Sequence, residues 1–551
     1  MKGQINLQTL NLGEYQASLE DRLISWRKSN FNRRLWDKDP TLWLSEHVSK
    51  IVGLGWLIIP EIVHDQIDDI VSFAEEIKSE DVRHVVLLAM GGSSLSPEVY
   101  HLTFDSANGF PALIVLDSTH PAAIKKVEEE IDIPNTIFLV SSKSGTTIET
   151  ISLFRYFWQK VGQTVGNPSR HFVAITDPGT PLAKLSEERR FRRRFLAPPD
   201  VGGRYSALTV FGLVPAGLIG VKLHQLLDRA RIASDSCAFS VPEQKISGLV
   251  LGAALGELTK AGRDKVTFLT SSSIKSFPAW LEQLIAESTG KDGKGMVPIV
   301  EEPLAPPETY GKDRFFIYLS VEDDKNPELE RMLTELEDVG HPTVSIRLSD
   351  KPNMGQEIFR WELAVAAAGS VLGVHPFNQP DVELAKQLAR ETVKKGKMQE
   401  SENVKSFVLE EPEKLAKALE RWLARARGGD YVAIHAYLPM QEKTTSALQV
   451  IRQKLLNRLN LATTLGYGPR FLHSTGQLHK GGPNTGIFLQ IVDEPDEDIP
   501  VPETNYTFGT LIKAQAIGDY KALEQRGRRL LRVNLKKDVK GGLERLAELI
   551  T

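Results

Sequence analysis

The sequence predicts an α/β protein built from doubly wound parallel sheets. Short, continuous apolar runs recur along the chain with helical patterns between them, as expected when helices connect buried parallel strands. Four such runs lie between residues 84 and 177: HVVLLAM, ALIVLDS, TIFLVSS and HFVAITD. Three more lie between residues 265 and 349: KVTFLTSS, RFFIYLS and TVSIRLS. We therefore expect two such sheets.

These runs divide the chain into four predicted regions. Residues 1–60 are rich in Trp, Arg and Asp and are predicted to form a helical N-terminal segment. Residues 61–239 and 240–400 are predicted to be the first and second sheet domains. Residues 401–551 carry the strand candidates VAIHAYL, GIFLQIVD and LLRVNL. This mixed α/β region is expected to complete the second half of the molecule.

Composition excludes several classes of protein. The 551 residues are 41% hydrophobic and 25% charged with a net charge of −4, unlike a protein whose whole surface binds nucleic acid. The single cysteine, Cys237, permits no disulfide within the chain, and the N-terminus has no secretory signal pattern, so a cytoplasmic location is expected. The longest apolar stretch, residues 206–223, is interrupted by Pro215 and predicts a buried core helix instead of a membrane span.

Two hydroxyl-rich loops follow predicted strands of the first sheet, at the edge where ligands bind in open α/β proteins. The loop SSKSGTT precedes a predicted helix, whose N-terminal N–H groups favour an anion. Its candidate phosphate ligands are Ser142, Lys143, Ser144 and Thr147. The second loop, MGGSS, adds Ser93 after two glycines. Neither loop fits the GxxxxGK[ST] or GxGxxG pattern, so a small phosphorylated metabolite is expected in place of a nucleotide.

Four further segments contain both a chemically active side chain and a glycine or proline. They are Arg204 in GGRYS, Glu287 in AESTGK, Lys386 in FNQPDVELAK and His473 in FLHSTGQLHKGG. A guanidinium after two glycines suits an anion or a developing oxyanion. The pattern alone leaves open whether Glu287 is an exposed last-turn residue and whether His473 is an ordinary buried histidine.

Two other patterns have common structural explanations. His375, His473 and His479 match no standard ligand spacing and lack a cysteine partner, so no metal is expected. Five arginines lie in the six positions 189–194. This run is interpreted as a solvated helix face or a subunit-contact segment; the alternative, nucleic-acid binding, would show a salt-dependent gel shift.

These segments together resemble the glucose-6-phosphate isomerase family, whose members are built on paired sugar isomerase (SIS) domains. The resemblance is carried by MGGSS, SSKSGTT, VGGRYS, ESTGK, FNQPDVELAK and LHSTGQLHKGG. The later sequence motifs, including GYGPRFLHSTGQLHKGGPNTGIF and AQAIGDYKAL, most resemble the isomerase half of bifunctional transaldolase/glucose-6-phosphate isomerases. We expect this chain to carry that half alone, with a separate transaldolase as a partner to consider. Lys386 precedes His473 here, whereas the common isomerases have the reverse order, and FNQ replaces FDQ.

The resemblance implies a metal-independent, cofactor-free aldose–ketose isomerase that interconverts glucose 6-phosphate and fructose 6-phosphate through a cis-enediolate, in glycolysis and gluconeogenesis. It implies that Glu287 moves the proton between C1 and C2 and that Arg204 stabilises the enediolate. His473 and Lys386 would serve ring opening. Family members are dimers in which the histidine comes from the neighbouring subunit, so a homodimer is expected. The implied substrate pocket comprises the phosphate ligands Ser93, Ser142, Lys143, Ser144 and Thr147, with Gly92, Gly203 and Gln379.

Two alternatives stay open at this point. The first is another sugar-phosphate isomerase, such as one that also accepts mannose 6-phosphate through the same enediolate. The second is a non-catalytic sugar-phosphate sensor, because SIS domains also serve as binding modules. A sensor needs the phosphate loops but has no use for the combination of Glu287, Arg204, Lys386 and His473. Amidotransferase-linked aminosugar synthesis would need an N-terminal cysteine nucleophile, and Lys2 stands there.

Overall fold

The computed structural model of the protein describes residues 4–44, 53–382 and 404–550. Three five-stranded sheets lie within these ranges. The parallel-sheet α/β prediction is confirmed. We number the sheets first, second and third in the order in which most of their strands occur along the chain. The parts of the chain that contain them are the first, second and third units.

The described part of the N-terminal segment is not wholly helical as predicted, because it also contributes a strand. Its elements are β1 (Leu7–Asn11), α1 (Gln16–Lys28), α2 (Phe31–Trp36) and the start of α3 (Ile59–Ile62), after which α4 (His64–Ser79) leads into the first sheet. Strand β1 pairs antiparallel with a strand at residues 343–348 and so extends the second sheet. The N-terminal segment is therefore tied to the second unit.

The first unit alternates strands and helices. Its elements are β2 (His84–Leu88), α5 (Gly92–Phe104), β3 (Ala112–Leu116), α6 (Pro121–Glu130), β4 (Thr136–Ser141), α7 (Ile148–Val165), β5 (Phe172–Thr176), α8 (Pro181–Glu188), β6 (Arg193–Leu196), α9 (Val210–Leu218) and α10 (Leu223–Asp235). The strands are parallel in the order β3-β2-β4-β5-β6. Connections leave β2 and β4 in opposite directions along the sheet, so a crevice opens between the loops that follow these two strands.

The second unit repeats this arrangement. Its elements are α11 (Ser247–Lys260), β7 (Lys265–Thr270), α12 (Phe277–Thr289), β8 (Val297–Ile299), β9 (Arg314–Val321), α13 (Pro327–Asp338), β10 (Thr343–Leu348) and α14 (Met354–Leu372). The sheet order is β1-β10-β9-β7-β8, with only β1 antiparallel. Every residue of β9 is buried, which explains its continuous apolar sequence.

The third unit forms a sheet of its own and does not extend the second sheet. Its elements are β11 (Phe407–Val408), α15 (Pro412–Leu423), β12 (Tyr431–Tyr437), α16 (Glu442–Leu459), β13 (Ala462–Tyr467), α17 (Gly476–Gly481), β14 (Gly486–Val492), α18 (Phe508–Gln525), β15 (Arg529–Asn534) and α19 (Val539–Leu549). The parallel order β11-β15-β14-β12-β13 places β12 between β13 and β14, as β2 lies between β3 and β4. The domain limits 61–239, 240–400 and 401–551 stay predictions.

The third unit packs closely against the other two. Ile499, Val501 and Phe508 are buried in the hydrophobic cluster on one face of the first sheet. On the side of the second unit, Arg452 donates from Nη1 to the carbonyl oxygen of Glu301 at 2.9 Å. These contacts fix the third unit beside both of the other sheets.

Two expectations from the sequence meet different outcomes. Helix α9, within the apolar stretch 206–223, is buried along its whole length, so the core-helix prediction is confirmed. The prediction of a helix face for the arginine run is wrong, because its last residues open the edge strand β6. Four of its arginines form ion pairs within the chain: Arg189 with Glu503, Arg192 with Glu76 and Glu80, Arg193 with Asp69 and Arg194 with Glu187. Within the described residues, no helix combines the length and apolar character that a bilayer span requires.

Phe508 tests the packing between the first and third units. Its ring is fully buried and meets Tyr156 of the first unit edge to face, with ring centroids 6.0 Å apart. Phe508→Ala is expected to lower the free energy of unfolding by about 3–5 kcal/mol in urea denaturation, because it removes a large buried ring. The control is Phe239→Ala, since Phe239 is 66% exposed and its loss should cost less than about 0.5 kcal/mol. Equal effects of the two variants would contradict this packing.

Candidate active site

The two hydroxyl-rich loops lie side by side at the carboxyl ends of β2 and β4, which are paired neighbours. In the loop after β4, the hydroxyls of Ser142 and Thr147 are 2.9 Å apart. The N–H of Gly145 donates to Ser142 Oγ at 3.1 Å. Thr147 is the N-cap of α7 but accepts no capping hydrogen bond from the helix. The loop is thus held by its own hydroxyls, and the first N–H groups of α7 keep their capacity to bind an anion.

Lys143 has a partner in this loop region. Its ammonium group forms an ion pair with Asp177, which follows β5. Burial raises the pKa of Asp177, whereas the neighbouring Lys143 acts to lower it. Lys143 also donates to the carbonyl oxygen of Pro199 at 3.3 Å. Part of its positive charge is therefore already balanced before any phosphate binds.

Two glycines of MGGSS allow three distant segments to meet. A Cβ on Gly92 would lie 2.0 Å from the carbonyl oxygen of Gly203, so GGRYS packs directly on this loop. Gly91 has φ of +57°, and its Cβ would lie 2.9 Å from the carbonyl oxygen of His473. Only glycine avoids both the strained conformation and these close contacts.

Glu287 and Arg204 form an ion pair inside the protein. Glu287 lies in the last turn of α12, and its Oε1 is 3.2 Å from Arg204 Nη1. The side chains are 14% and 2% exposed, so Glu287 is not the exposed last-turn residue that the pattern left open. Gln283, one turn earlier, donates to Glu287 Oε2 at 3.1 Å and to the carbonyl oxygen of His473 at 2.8 Å. The carboxylate is held from two sides.

Arg204 also organises the turn at residues 375–379. It donates to Ser288 Oγ at 2.7 Å and to Gln379 Oε1 at 3.2 Å. Its Nη2 donates to the carbonyl oxygens of Pro376 and Asn378 at 2.6 and 3.1 Å. The guanidinium is therefore fixed in position by neutral acceptors and by one carboxylate.

A second buried basic side chain, Lys291, supports the same turn. Its Nζ donates to the carbonyl oxygens of His375 and Asn378, each at 2.6 Å. Burial, with the nearby positive charge of Arg204, lowers the pKa of Lys291 to about 6. Lys386 follows this turn in the chain but lies outside the described residues.

His473 enters the site from the third unit of the same chain. It ends a short turn, Arg470–His473, between β13 and α17. Its Nε2 is 2.9 Å from Glu149 Oε1, and Gln515 donates to the same carboxylate oxygen at 2.7 Å. Glu149 lies in the first turn of α7, directly after the phosphate loop. The homodimer prediction depended on a histidine from a neighbouring subunit, and here the chain supplies its own.

Most of the predicted site residues line one cavity of about 700 Å³. The predicted residues that line it are Gly92, Ser93, Ser142, Lys143, Ser144, Thr147, Gly203, Arg204, Glu287, Gln379 and His473. The hydroxyl loops and the Arg204–Glu287 pair border the same space. Such a cavity matches the volume of a small-molecule site.

The three histidines considered for a metal have different partners. His375 accepts a hydrogen bond from the N–H of Phe377, and His479 is 3.0 Å from His435 in the third unit. His473 contacts Glu149. Across residues 4–44, 53–382 and 404–550, no group of three or more His, Cys, Asp and Glu side chains is placed to hold a metal ion.

Three residues of the site are not among those predicted from the sequence. Glu149 stands in the run SSKSGTTIET, two positions after Thr147, where it looks like an ordinary first-turn helix acid. Gln283 is one helical turn before Glu287, and this spacing could have indicated a shared face. Lys291 closes the quoted segment ESTGK, but its burial depends on the distant turn that it supports.

Similarity to known proteins points to one family. Residues 50–302 match the sequence model of the family described as phosphoglucose isomerase. The glucose-6-phosphate isomerase of Rubrobacter xylanophilus is 28% identical over 383 residues, which span 61% of this chain and 88% of that protein. The glucose-6-phosphate isomerase of Campylobacter jejuni is 27% identical over 378 residues, spanning 61% and 91%.

Two solved structures share the fold. A hypothetical protein of Thermus thermophilus superimposes with a TM-score of 0.60 at 24% identity, covering 70% of this chain and 99% of that one. A glucose-6-phosphate isomerase from Chlamydia trachomatis gives 0.55 at 17% identity, covering 74% and 88%. The family match contains the hydroxyl loops, Arg204 and Glu287, and the curated relatives match along most of their own length. Residues 50–302 of the chain are thus similar to the phosphoglucose isomerase family, and a longer part of it is similar to curated glucose-6-phosphate isomerases.

Proposed function

We propose that this protein is a glucose-6-phosphate isomerase that interconverts glucose 6-phosphate and fructose 6-phosphate. One observation carries the proposal: a carboxylate, Glu287, is held beside the buried guanidinium of Arg204 in the cavity that the two hydroxyl-rich loops border. Proton transfer between adjacent carbons needs one base and one group that stabilises the resulting oxyanion. A sensor that only binds sugar phosphate would need neither.

The phosphate end of the substrate is assigned to the loop after β4 and to Ser93. Hydroxyls and the N-terminal N–H groups of α7 offer hydrogen bonds to phosphate oxygens. Lys143 contributes positive charge, partly balanced by Asp177. Binding at this unreactive end orients C1 and C2 toward Glu287, so that binding energy lowers the barrier of the chemical step.

Glu287 is assigned the proton transfer. In the open-chain aldose, its carboxylate removes the proton from C2, and the electrons of that bond form a C1–C2 double bond. The oxygen on C1 then carries negative charge, which the Arg204 guanidinium stabilises. The proton of the C2 hydroxyl moves to the oxygen on C1, and return of the carbon-bound proton to C1 then gives the ketose as the C2 oxygen becomes a carbonyl. Gln283 and Arg204 restrict the carboxylate during this exchange.

His473 is assigned to ring opening, which must precede the proton transfer. In the tautomer that donates from Nε2 to Glu149, the other ring nitrogen, Nδ1, is an acceptor that can take a sugar hydroxyl proton. The negative charge of Glu149 stabilises the imidazolium that results. Lys386 keeps its predicted role in this step.

The wider setting is also part of the proposal. The reaction belongs to glycolysis and gluconeogenesis, and we place the protein in the cytoplasm because a sugar phosphate is an intracellular metabolite. A homodimer, a separate transaldolase partner, absence of nucleic-acid binding and closeness to the isomerase half of bifunctional enzymes stay predictions. Activity on mannose 6-phosphate would pass through the same enediolate and is an arm of the assay below.

The first prediction is turnover itself. The purified protein should convert fructose 6-phosphate to glucose 6-phosphate in an assay coupled to glucose-6-phosphate oxidation, and the rate should persist in EDTA because side chains and backbone N–H groups account for every assigned role. A parallel reaction with mannose 6-phosphate measures the breadth of specificity. Thermal stabilisation by both sugar phosphates without any turnover would reject the isomerase and favour a sensor.

The second prediction concerns the base. Glu287→Gln keeps the size of the side chain but removes its ability to take a proton, so kcat should fall by about 10²–10⁴-fold. Binding of a sugar phosphate, measured by calorimetry, should change little because the phosphate loops are untouched. Glu130→Gln is the control, since Glu130 lies exposed on α6. A Glu287→Gln enzyme with near-normal kcat would show that another group is the base.

A further inference from the structure

The histidine of the site lies outside the region that matches the family. That match ends at residue 302, whereas His473 belongs to the third unit, whose described part begins at residue 404. The histidine nevertheless lies within hydrogen-bonding distance of Glu149 in the first unit. A contact between two units of one chain must be held by something that fixes the distance between them.

Arg470 provides this connection. It begins the short turn that ends at His473. Its Nη1 donates to Glu98 Oε1 at 3.1 Å, its Nη2 contacts the other oxygen of the same carboxylate, and its Nε is 3.2 Å from Asp117 Oδ2. The Arg470 side chain is 14% exposed and that of Asp117 is 8% exposed. A paired contact of guanidinium with carboxylate is strong and directional when shielded from water.

Both acids belong to the first unit, and one of them lies on a helix that begins at the substrate cavity. Glu98 lies on α5, the helix that begins in MGGSS, and Asp117 directly follows β3. On the opposite side, His473 meets Glu149 of α7. The turn is therefore attached to both helices that start at the hydroxyl loops, by Arg470 at its first residue and by His473 at its last.

We propose that Arg470, held by Glu98 and Asp117, is the residue that positions His473 beside Glu149, so that one chain supplies both Glu287 and His473 to the same cavity. This inference rests on the proposed isomerase function. Arg470 acts through His473 and is not assigned any contact with substrate. The third unit then supplies within the chain the histidine that the resemblance assigns to a neighbouring subunit.

Arg470→Met tests the positioning role. It keeps a long side chain but cannot pair with the acids, so His473 should lose its fixed position, and kcat should fall by about 10–100-fold. The KM for fructose 6-phosphate should stay within about twofold, because the phosphate loops are unchanged. Arg470→Lys should recover part of the rate, since it restores charge without the paired geometry.

The matched control is Arg189→Met. Arg189 also joins the first and third units, through Glu503 at 3.0 Å, but neither residue of this ion pair lines the substrate cavity. Its loss should leave kcat unchanged. If Arg470→Met does not fold, Asp117→Asn removes one partner only and should lower kcat in the same direction. The positioning role would be overturned if folded Arg470→Met had the wild-type kcat. It would also be overturned if Arg189→Met lost as much kcat as Arg470→Met.

Complementation tests whether one chain suffices. Glu287→Gln and His473→Ala chains with different affinity tags are co-expressed and purified through both tags in succession. If mixed oligomers form, they should remain as inactive as either variant alone, because each chain needs both of its own residues. Failure to recover any mixed oligomer also supports a self-sufficient chain. Activity well above that of both variants would show a shared site and overturn the inference.

The wild-type assay separates the proposed isomerase function from the proposed role of Arg470. Without wild-type turnover, the proposed function fails and the variants are not interpreted kinetically. With wild-type turnover, an unaffected Arg470→Met enzyme or restored activity in the mixed oligomer rejects only the present inference.

Discussion

The site depends on a guanidinium held in the protein interior. Burying a charge is costly unless hydrogen bonds and an opposite charge compensate, and Arg204 has both: the carboxylate of Glu287, and acceptors on Ser288 and the turn at 375–379. For Arg204 to reach these partners, the GGRYS segment must pack on Gly92, where no side chain would fit. The close contact of two loops, the orientation of the base and the shape of the cavity therefore follow from one buried ion pair.

The third unit extends this logic to the histidine. Behind the site, Lys480 donates to Asp519 Oδ1 at 2.6 Å, and His435 Nδ1 lies 3.3 Å from the other oxygen. Burial alone would raise the pKa of Asp519, but Lys480 and His435 lower it to about 2, so it stays charged. Asp519 lies one turn after Gln515 on α18, and Gln515 donates to Glu149. This buried network fixes the helix that supports the carboxylate beside His473.

The fold was largely predictable because buried parallel strands have continuous apolar sequences. HVVLLAM and RFFIYLS were identified from this feature, whereas β6 was missed because its arginines obscure a short edge strand. Residues of local motifs were also predictable, including Glu287 in ESTGK. Arg470, Gln515 and the intrachain origin of His473 were not, because each depends on how units far apart in sequence pack together. Ion pairs such as Arg470 with Glu98, 372 residues away, have no signal in one sequence.

Proton transfer through Glu287 is the central claim, and isomerisation in D₂O tests it most directly. In this experiment the wild-type protein is incubated with fructose 6-phosphate in D₂O. NMR then measures deuterium at C2 of any glucose 6-phosphate that forms. A carboxylate base that exchanges its proton with solvent predicts deuterium at C2 of the product. Only hydrogen at C2 even after prolonged equilibration, through many forward and reverse turnovers, would indicate direct transfer of hydride between C1 and C2, and would contradict an enediolate formed by Glu287.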